Sequence, residues 1–152
     1  MRIKNKFVSP VLMWLLVIAG LFVAFELVQP RFIFSRNMIT SFLILPAVGY
    51  WLYFLIGAIS VHRKAPLSAE KIDRLVTEGV YSIIRHPIYS ADIILGWAIF
   101  FFYPDIRFLI GAHCLMFVLL FWMHLEEQAL IEKFGNKYLE YMKHVPKIFP
   151  KL

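Results

Sequence analysis

Two polar stretches of this chain carry side chains that could bind charged groups and exchange protons. The first stretch is residues 76–89, here called the hinge, and it contains Arg85-His86-Pro87 between Tyr81 and Tyr89. The second contains two neighbouring carboxyl groups, Glu126-Glu127, here called the acidic pair. Together they supply a fixed cation, a titratable imidazole, two acids and two phenols. A mere connecting loop would not need such a set.

The composition places the chain in the membrane class. Of its 152 residues, 61% are hydrophobic and 17% charged, which is too apolar for a soluble domain of this size. There is room for one domain, which we take as residues 1–152. The net charge of +6 does not indicate nucleic acid, because basic residues flanking apolar spans are expected in membrane proteins. The single Cys114 cannot form an intrachain disulfide, so we expect it to serve packing.

Four apolar runs predict an all-α, polytopic membrane fold. We expect transmembrane helices at about residues 7–28, 38–61, 87–103 and 106–125, a polar loop at 62–86 and a helical tail at 126–152. The first run is too long for the apolar core of a secretory signal and ends without a small-residue cleavage site, so we expect it to be retained. Pro46 removes a helical hydrogen bond and predicts a kink. Pro87 suits the first position of the third helix, where its missing N–H would have had no partner.

The distribution of basic residues predicts the orientation. Lys and Arg number three in the N-terminal head, five in the central loop and five in the tail, against three on the other side. The positive-inside rule then puts both termini, the hinge and the tail in the cytoplasm. The hinge and tail should therefore face each other. We expect Gly135 to end the fourth helix, and Tyr138 and Tyr141 to share one face of a second short helix.

These motifs, in this order, resemble the isoprenylcysteine carboxyl methyltransferase and phospholipid methyltransferase family. The matching residues are Gly79-Val-Tyr-Ser-Ile-Ile-Arg-His-Pro-Ile-Tyr89, the acidic pair, Leu130, Phe134-Gly135, Tyr138, Tyr141 and Pro146. The match covers residues 73–150, and the first two helices carry no signature. The resemblance implies an integral membrane enzyme that transfers a methyl group from S-adenosyl-L-methionine to a lipidic or small hydrophobic acceptor. Its partners would be the lipid bilayer and that acceptor, with no nucleic acid.

The resemblance also implies roles for individual residues. The implied cofactor contacts are Asp73, Arg74, Leu75, Val76, Tyr81, His86, Pro87, Ile88, Tyr89 and Glu126. The predicted catalytic residues are Arg85, which precedes this group and braces it, and Glu127. Two positions depart from the family: Ala91 replaces a frequent glycine, and Trp122 stands where prenylcysteine enzymes tend to carry a substrate-binding arginine. The second departure argues against a carboxylate substrate.

The same residue types suit this chemistry without the family. S-adenosylmethionine presents a carboxylate, an ammonium, ribose hydroxyls and a sulfonium, so a pocket needs a cation, acids and electron-rich rings. Arg85 or His86, the acidic pair and the two hinge tyrosines can supply them. Methyl transfer chiefly requires aligned substrates and excluded water. An amine acceptor must be neutral when it attacks, and Glu127 or His124 then becomes a candidate base.

Several alternatives stay open. The Arg-His-Pro triplet could be interfacial charge followed by a helix start, and the tyrosines could be membrane-belt residues. Asp92 is either a functional residue or a buried partner for a hydroxyl or amide. His62, His86 and His124 form no paired ligand motif, so we expect no metal site. Alternative functions are phospholipid amine N-methylation, an NADPH-dependent sterol-type reduction and a non-catalytic membrane scaffold.

Overall fold

The computed structural model describes residues 9–61 and 74–151, and helices dominate these two ranges. The helices are α1 (Pro10–Leu27), α2 (Met38–Phe42), α3 (Ile44–Val61), α4 (Pro87–Phe102), α5 (Ile106–Phe134) and α6 (Asn136–His144), with a 3₁₀ turn at Gly79–Ser82. No strand forms within the described ranges, where a single bridge joins Phe32 to Asp105. The predicted all-helical architecture is therefore confirmed for this part of the chain. The basic head and most of the central loop lie outside it.

Three helical segments are long and apolar enough to cross a membrane, namely Pro10–Leu27, Met38–Val61 and Ile106–Phe134. α4 is apolar but has only 16 residues, which makes it about 24 Å long against a hydrocarbon core of about 30 Å. Large apolar side chains such as Ile18 and Ile56 are more than half exposed on the outside of the helices. An apolar surface of this extent is expected where a protein contacts lipid rather than water.

The second predicted span is interrupted near its proline. α2 ends at Phe42 and α3 begins at Ile44, with Leu43 between them. Pro46 has no N–H to donate to the carbonyl of Phe42, and its ring crowds that carbonyl. The irregularity therefore falls one turn before the proline rather than at it.

The spans pack in a definite order. α4 lies between α3 and α5, and α1 packs on α5. Gly20 of α1 lies against the Sγ of Cys114, and Gly111 of α5 lies against Leu21, so a Cβ on either glycine would collide with its neighbour. Small residues of this kind let membrane helices approach closely. Cys114 thus has the packing role that the sequence predicted.

Two clusters of buried residues hold the helices together. The first cluster joins α1, α4 and α5 and contains Met13, Ile93, Leu119, Trp122 and Met123. The second joins α3, the 3₁₀ turn and α4 and contains Phe54, Ala58, Val80, Ile84 and Ala91. The hinge is therefore anchored against α3 on one side of α4, while α5 approaches α4 from the other side.

α5 continues beyond its apolar part as one helix to Phe134. The acidic pair therefore lies on the same rigid element as the last apolar run, and the tail predicted for residues 126–152 begins as an extension of that helix. Gly135 ends α5 with φ +54°, a backbone conformation that favours glycine. The predicted stop is confirmed. In α6 the rings of Tyr138 and Tyr141 lie 5.8 Å apart, on one face as expected.

Candidate active site

Arg85 joins the hinge to α5 and to the residues that follow α5, 136–151, here called the C-terminal segment. Its Nε and Nη2 lie 3.0 and 2.9 Å from Oε1 of Glu127. Its Nη1 donates to the carbonyl oxygens of Met142 and Val145, at 3.0 and 2.8 Å. The side chain is only 9% exposed. All three guanidinium nitrogens of Arg85 therefore have partners.

Glu127 is surrounded by nitrogen-bearing side chains. Besides Arg85, the Nζ of Lys147 lies 2.9 Å from Oε2 and the Nε2 of His86 lies 3.3 Å from Oε1. The glutamate side chain is 7% exposed. Charge-assisted hydrogen bonds to cations stabilise the ionised form of a carboxyl group. Both oxygens of Glu127 thus have hydrogen-bonded partners. These contacts favour a structural role for this carboxylate over a role as a proton acceptor.

Glu126 has a different environment from its neighbour. The hydroxyl of Tyr89 donates to Oε1 at 2.6 Å, whereas Oε2 lies 3.8 Å from the Nδ1 of His86, beyond ordinary hydrogen-bond length. The rings of His86 and Tyr89 are stacked, with centroids 5.8 Å apart. Glu126 therefore retains the capacity to accept a hydrogen bond from a bound ammonium or hydroxyl group.

The C-terminal segment covers the start of α4. The backbone N–H groups of Arg85 and His86 donate to the carbonyl oxygens of Pro146 and Lys147, at 2.9 and 3.2 Å. These contacts pair backbone donors just before Pro87, which has no N–H of its own. The tail is therefore part of the site and shields this end of α4 from water.

Polar side chains also connect α3 with α4. The hydroxyls of Tyr50 and Ser90 lie 3.0 Å apart, and Ser90 donates to the carbonyl oxygen of Ile148 at 2.9 Å. The indole Nε1 of Trp51 donates to Oδ1 of Asp92 at 2.8 Å. The partner of Asp92 is thus the indole of a half-buried tryptophan rather than the hydroxyl or amide expected as the alternative to a functional role.

The tyrosines near the hinge are neutral donors and packing groups. The hydroxyl of Tyr141 donates to the carbonyl oxygen of Tyr81, which fixes α6 against the hinge. Burial raises the pKa of Tyr81, Tyr138 and Tyr141 above the usual range of a phenol. The charge of Glu126 adds to the effect of burial on the pKa of Tyr81. These hydroxyls therefore keep their protons at neutral pH.

The remaining predicted cofactor contacts are not brought together in the same way. Arg74 is 70% exposed and pairs with Glu78 at 3.1 Å. Ile88 packs in the second cluster. Leu75 is half-buried, and Val76 and Pro87 are buried. Asp73 and His62 lie outside the described residues, and His124 is exposed. Within residues 9–61 and 74–151, no three His, Cys, Asp or Glu side chains are grouped as metal ligands would be.

Sequence reasoning missed several site residues. Lys147 counted only as one of the basic residues in the tail, and Tyr50, Trp51 and Ser90 carried no signal. Their partners lie on other helices or in the C-terminal segment. The one available hint was that Lys147 directly follows Pro146, a residue of the family motif.

Comparison with known proteins gives the family context. The model of the phospholipid methyltransferase family matches residues 37–137. Protein-S-isoprenylcysteine O-methyltransferase B of Arabidopsis thaliana is 33% identical over 87 residues, which are 53% of this chain and 42% of that protein. Methanethiol S-methyltransferase of Pseudomonas deceptionensis is 35% identical over 75 residues, 48% of this chain and 27% of that protein. No solved structure matches the chain significantly.

The chain therefore spans less than half the length of each of these two relatives. The family match, in contrast, covers well over half of the chain and includes the hinge and the acidic pair. The chain belongs to the phospholipid methyltransferase family.

Proposed function

We propose that this chain is an integral membrane methyltransferase that uses S-adenosyl-L-methionine to methylate a lipidic or small hydrophobic acceptor. The observation that carries the proposal is the Tyr89–Glu126 hydrogen bond beside His86. This hydrogen bond joins the hinge to the acidic pair. The residues that it joins are ones for which the family resemblance implies cofactor contacts. Membership of the family supports the proposal, as do two relatives named as methyltransferases.

The chemistry of the site fits this cofactor. Oε2 of Glu126 can accept a hydrogen bond from an ammonium or a ribose hydroxyl. The ring of Tyr89, stacked with His86, can lie beside a cationic centre, which aromatic faces attract. When bound, the cofactor supplies an activated methyl group. Arg85 and Lys147 are engaged by Glu127, so in this proposal they position the site rather than bind the cofactor's carboxylate.

The protein's own contribution is alignment and exclusion of water. Arg85 and Glu127 hold the C-terminal segment over the start of α4. This cover keeps His86 and Glu127 at only 6% exposed each. Exclusion of water strengthens electrostatic contacts inside a site and prevents side reactions. Alignment of two bound reactants contributes much of the rate enhancement in reactions of this type.

The proposed topology is a single domain with four spans. Three of them are the long apolar segments, and α4, the third along the chain, is the shorter one. Both termini and the site lie in the cytoplasm in this arrangement, as the basic residues favour. The exposed apolar sides of α1 and α3 support contact with lipid, and an acceptor dissolved in the bilayer would reach the site sideways between helices.

Binding of S-adenosylhomocysteine to detergent-purified protein, measured by isothermal calorimetry, tests this function. We expect the wild type to bind. Glu126→Gln removes a charged acceptor, and the loss of a charge-assisted hydrogen bond, about 1.5–3 kcal/mol, corresponds to at least about tenfold weaker binding. His86→Ala removes the group stacked on Tyr89 and should also weaken binding.

The matched control is Glu140→Gln, because Glu140 is an exposed acid on α6 whose side chain is 61% exposed. It should bind like the wild type. If the wild type is folded but does not bind S-adenosylhomocysteine, the proposal is wrong. A thermal shift with NADPH but none with S-adenosylmethionine would then favour a reductase, and no shift with either would favour a scaffold.

A further inference from the structure

Asp92 carries a buried polar atom that the proposed cofactor site does not use. It lies on α4 three residues after Tyr89, so the two side chains share one face about a turn apart, with Asp92 deeper in the apolar part. Its Oδ1 accepts from Trp51 at 2.8 Å. Its Oδ2 is shielded from solvent and has no hydrogen-bond partner in the described part of the chain.

An open carboxyl oxygen at this position is costly. A buried polar group without a partner is destabilising, and a carboxyl group among apolar helices is rare outside functional sites. Native structures satisfy the great majority of such groups. The contact with Trp51 accounts for one oxygen only, so the second oxygen is available to accept a hydrogen bond from a bound molecule.

Asp92 adjoins the group that would hold the cofactor. It lies about one turn along α4 from Tyr89, whose hydroxyl donates to Glu126. On α3, Trp51 donates to Asp92, and the preceding residue, Tyr50, pairs with Ser90. Because Asp92 lies one turn deeper along α4 than Tyr89, an acceptor that enters from the lipid in the proposed topology would pass Asp92 on its way to the Tyr89–Glu126 pair.

The other candidate bases are less suitable. Both oxygens of Glu127 are held by Arg85, His86 and Lys147, and the side chain of His124 is exposed. A carboxylate acceptor would require a cation, but neither Asp92 nor its partner Trp51 supplies one.

We infer that Asp92 binds the hydrogen-bearing atom of the acceptor and thereby selects amine or thiol acceptors over carboxylates; this rests on the proposed function. The acceptor atom forms a bond to the methyl carbon, and the bond from that carbon to the sulfonium breaks with its electron pair remaining on sulfur. The acceptor's hydrogen leaves as a proton to Oδ2 of Asp92. A carboxylate has no such hydrogen to give.

Methyl transfer in lipid nanodiscs to three probes of equal chain length, dodecylamine, dodecanethiol and dodecanoate, tests this inference. With labelled S-adenosylmethionine as donor, we expect the wild type to methylate the amine or the thiol and not dodecanoate. Asp92→Asn keeps an oxygen for Trp51 but cannot take a proton. It should lower kcat by about 10²–10⁴, the usual contribution of a positioned base, while binding S-adenosylhomocysteine like the wild type.

The matched variant is Trp51→Phe, which removes the indole donor and keeps the carboxylate. Loss of one hydrogen bond of about 1–1.5 kcal/mol should reduce kcat by about tenfold at most. If Asp92 served only as the partner of Trp51, the order would be reversed, with Trp51→Phe more damaging than Asp92→Asn. That reversal would overturn the inference.

Three other outcomes would also overturn it: transfer to dodecanoate alone, transfer to none of the probes, and loss of S-adenosylhomocysteine binding in Asp92→Asn. Each of these leaves the proposed cofactor site standing if the wild type binds S-adenosylhomocysteine. A wild type that does not bind it counts against the proposed function instead.

Discussion

Replacing Arg85 by alanine should detach the C-terminal segment and destabilise the protein. The guanidinium donates to Glu127 on α5 and to the carbonyl oxygens of Met142 and Val145. It is 9% exposed, so water cannot readily take its place. The substitution removes one of the cations that hold Glu127 and leaves Lys147 as its remaining strong cationic partner.

The magnitude follows from these contacts. Removing one partner of a buried ion pair lowers the free energy of unfolding by about 3–5 kcal/mol. Because Lys147 still neutralises Glu127, the loss from this pair should lie near the lower bound. The two carbonyl groups that lose a charged donor raise the loss again, by about 1 kcal/mol each. We therefore expect about 3–5 kcal/mol in total, a large part of a typical stability of 5–15 kcal/mol. At about 2–4 °C per kcal/mol for a chain of this size, Tm should fall by about 10 °C.

Two measurements on detergent-purified protein check this expectation. Thermal unfolding followed by tryptophan fluorescence gives Tm, and limited proteolysis with mass spectrometry detects cleavage within residues 136–151. Arg74→Ala is the matched control, because Arg74 forms an exposed pair with Glu78 and such pairs contribute about 0–1 kcal/mol. A Tm for Arg85→Ala within about 2 °C of the wild type, less than about 1 kcal/mol, with equal protection of the tail, would refute the reasoning.

Three further outcomes are expected. Tyr89→Phe removes the hydroxyl that orients Glu126 and should weaken S-adenosylhomocysteine binding by about tenfold, as calorimetry would measure. Gly135→Ala forces a side chain into φ +54° and should lower the free energy of unfolding by about 1–2 kcal/mol, seen as a lower Tm. Burial raises the pKa of Tyr141 in the folded state. The contribution of this phenol to folding stability is therefore complete below the pKa of unfolded tyrosine, near 10, and is lost as the pH rises from there towards the folded pKa. Tyr141→Phe should make alkaline unfolding less steep.

Each of these has its own control and contrary result. Tyr53→Phe alters a tyrosine of α3 that is 58% exposed and should leave binding unchanged; an equal loss in both variants would count against the role of Tyr89. Gly49→Ala places a methyl group in open space within a helix and should be neutral or stabilising. If Gly135→Ala is as stable as Gly49→Ala, the backbone at residue 135 does not strain a side chain and the argument is wrong. An unchanged alkaline slope in Tyr141→Phe would argue against its burial.

The amino-acid sequence by itself determined the local features of this protein. Helix positions followed from the length of the apolar runs, because each span needs only its own residues to satisfy its backbone. The irregularity near Pro46 and the stop at Gly135 followed from a missing N–H and a positive φ, both properties of single residues. The hinge and the acidic pair could be recognised because motif spacing along the chain is visible without any packing.

Only the tertiary structure decided which side chains meet. Lys147 resembles the other lysines of the tail until the C-terminal segment folds over α4 and brings it to Glu127. Likewise, Asp92 and Trp51 are 41 residues apart in the chain, and their contact depends on how α3 rotates against α4. Helix rotation and crossing are set by the interlocking of many side chains at once, so no single residue or spacing carries that information. The difference between the two neighbouring glutamates arises from the same packing: Glu127 is held by Arg85 and Lys147, whereas Glu126 accepts from the hydroxyl of Tyr89.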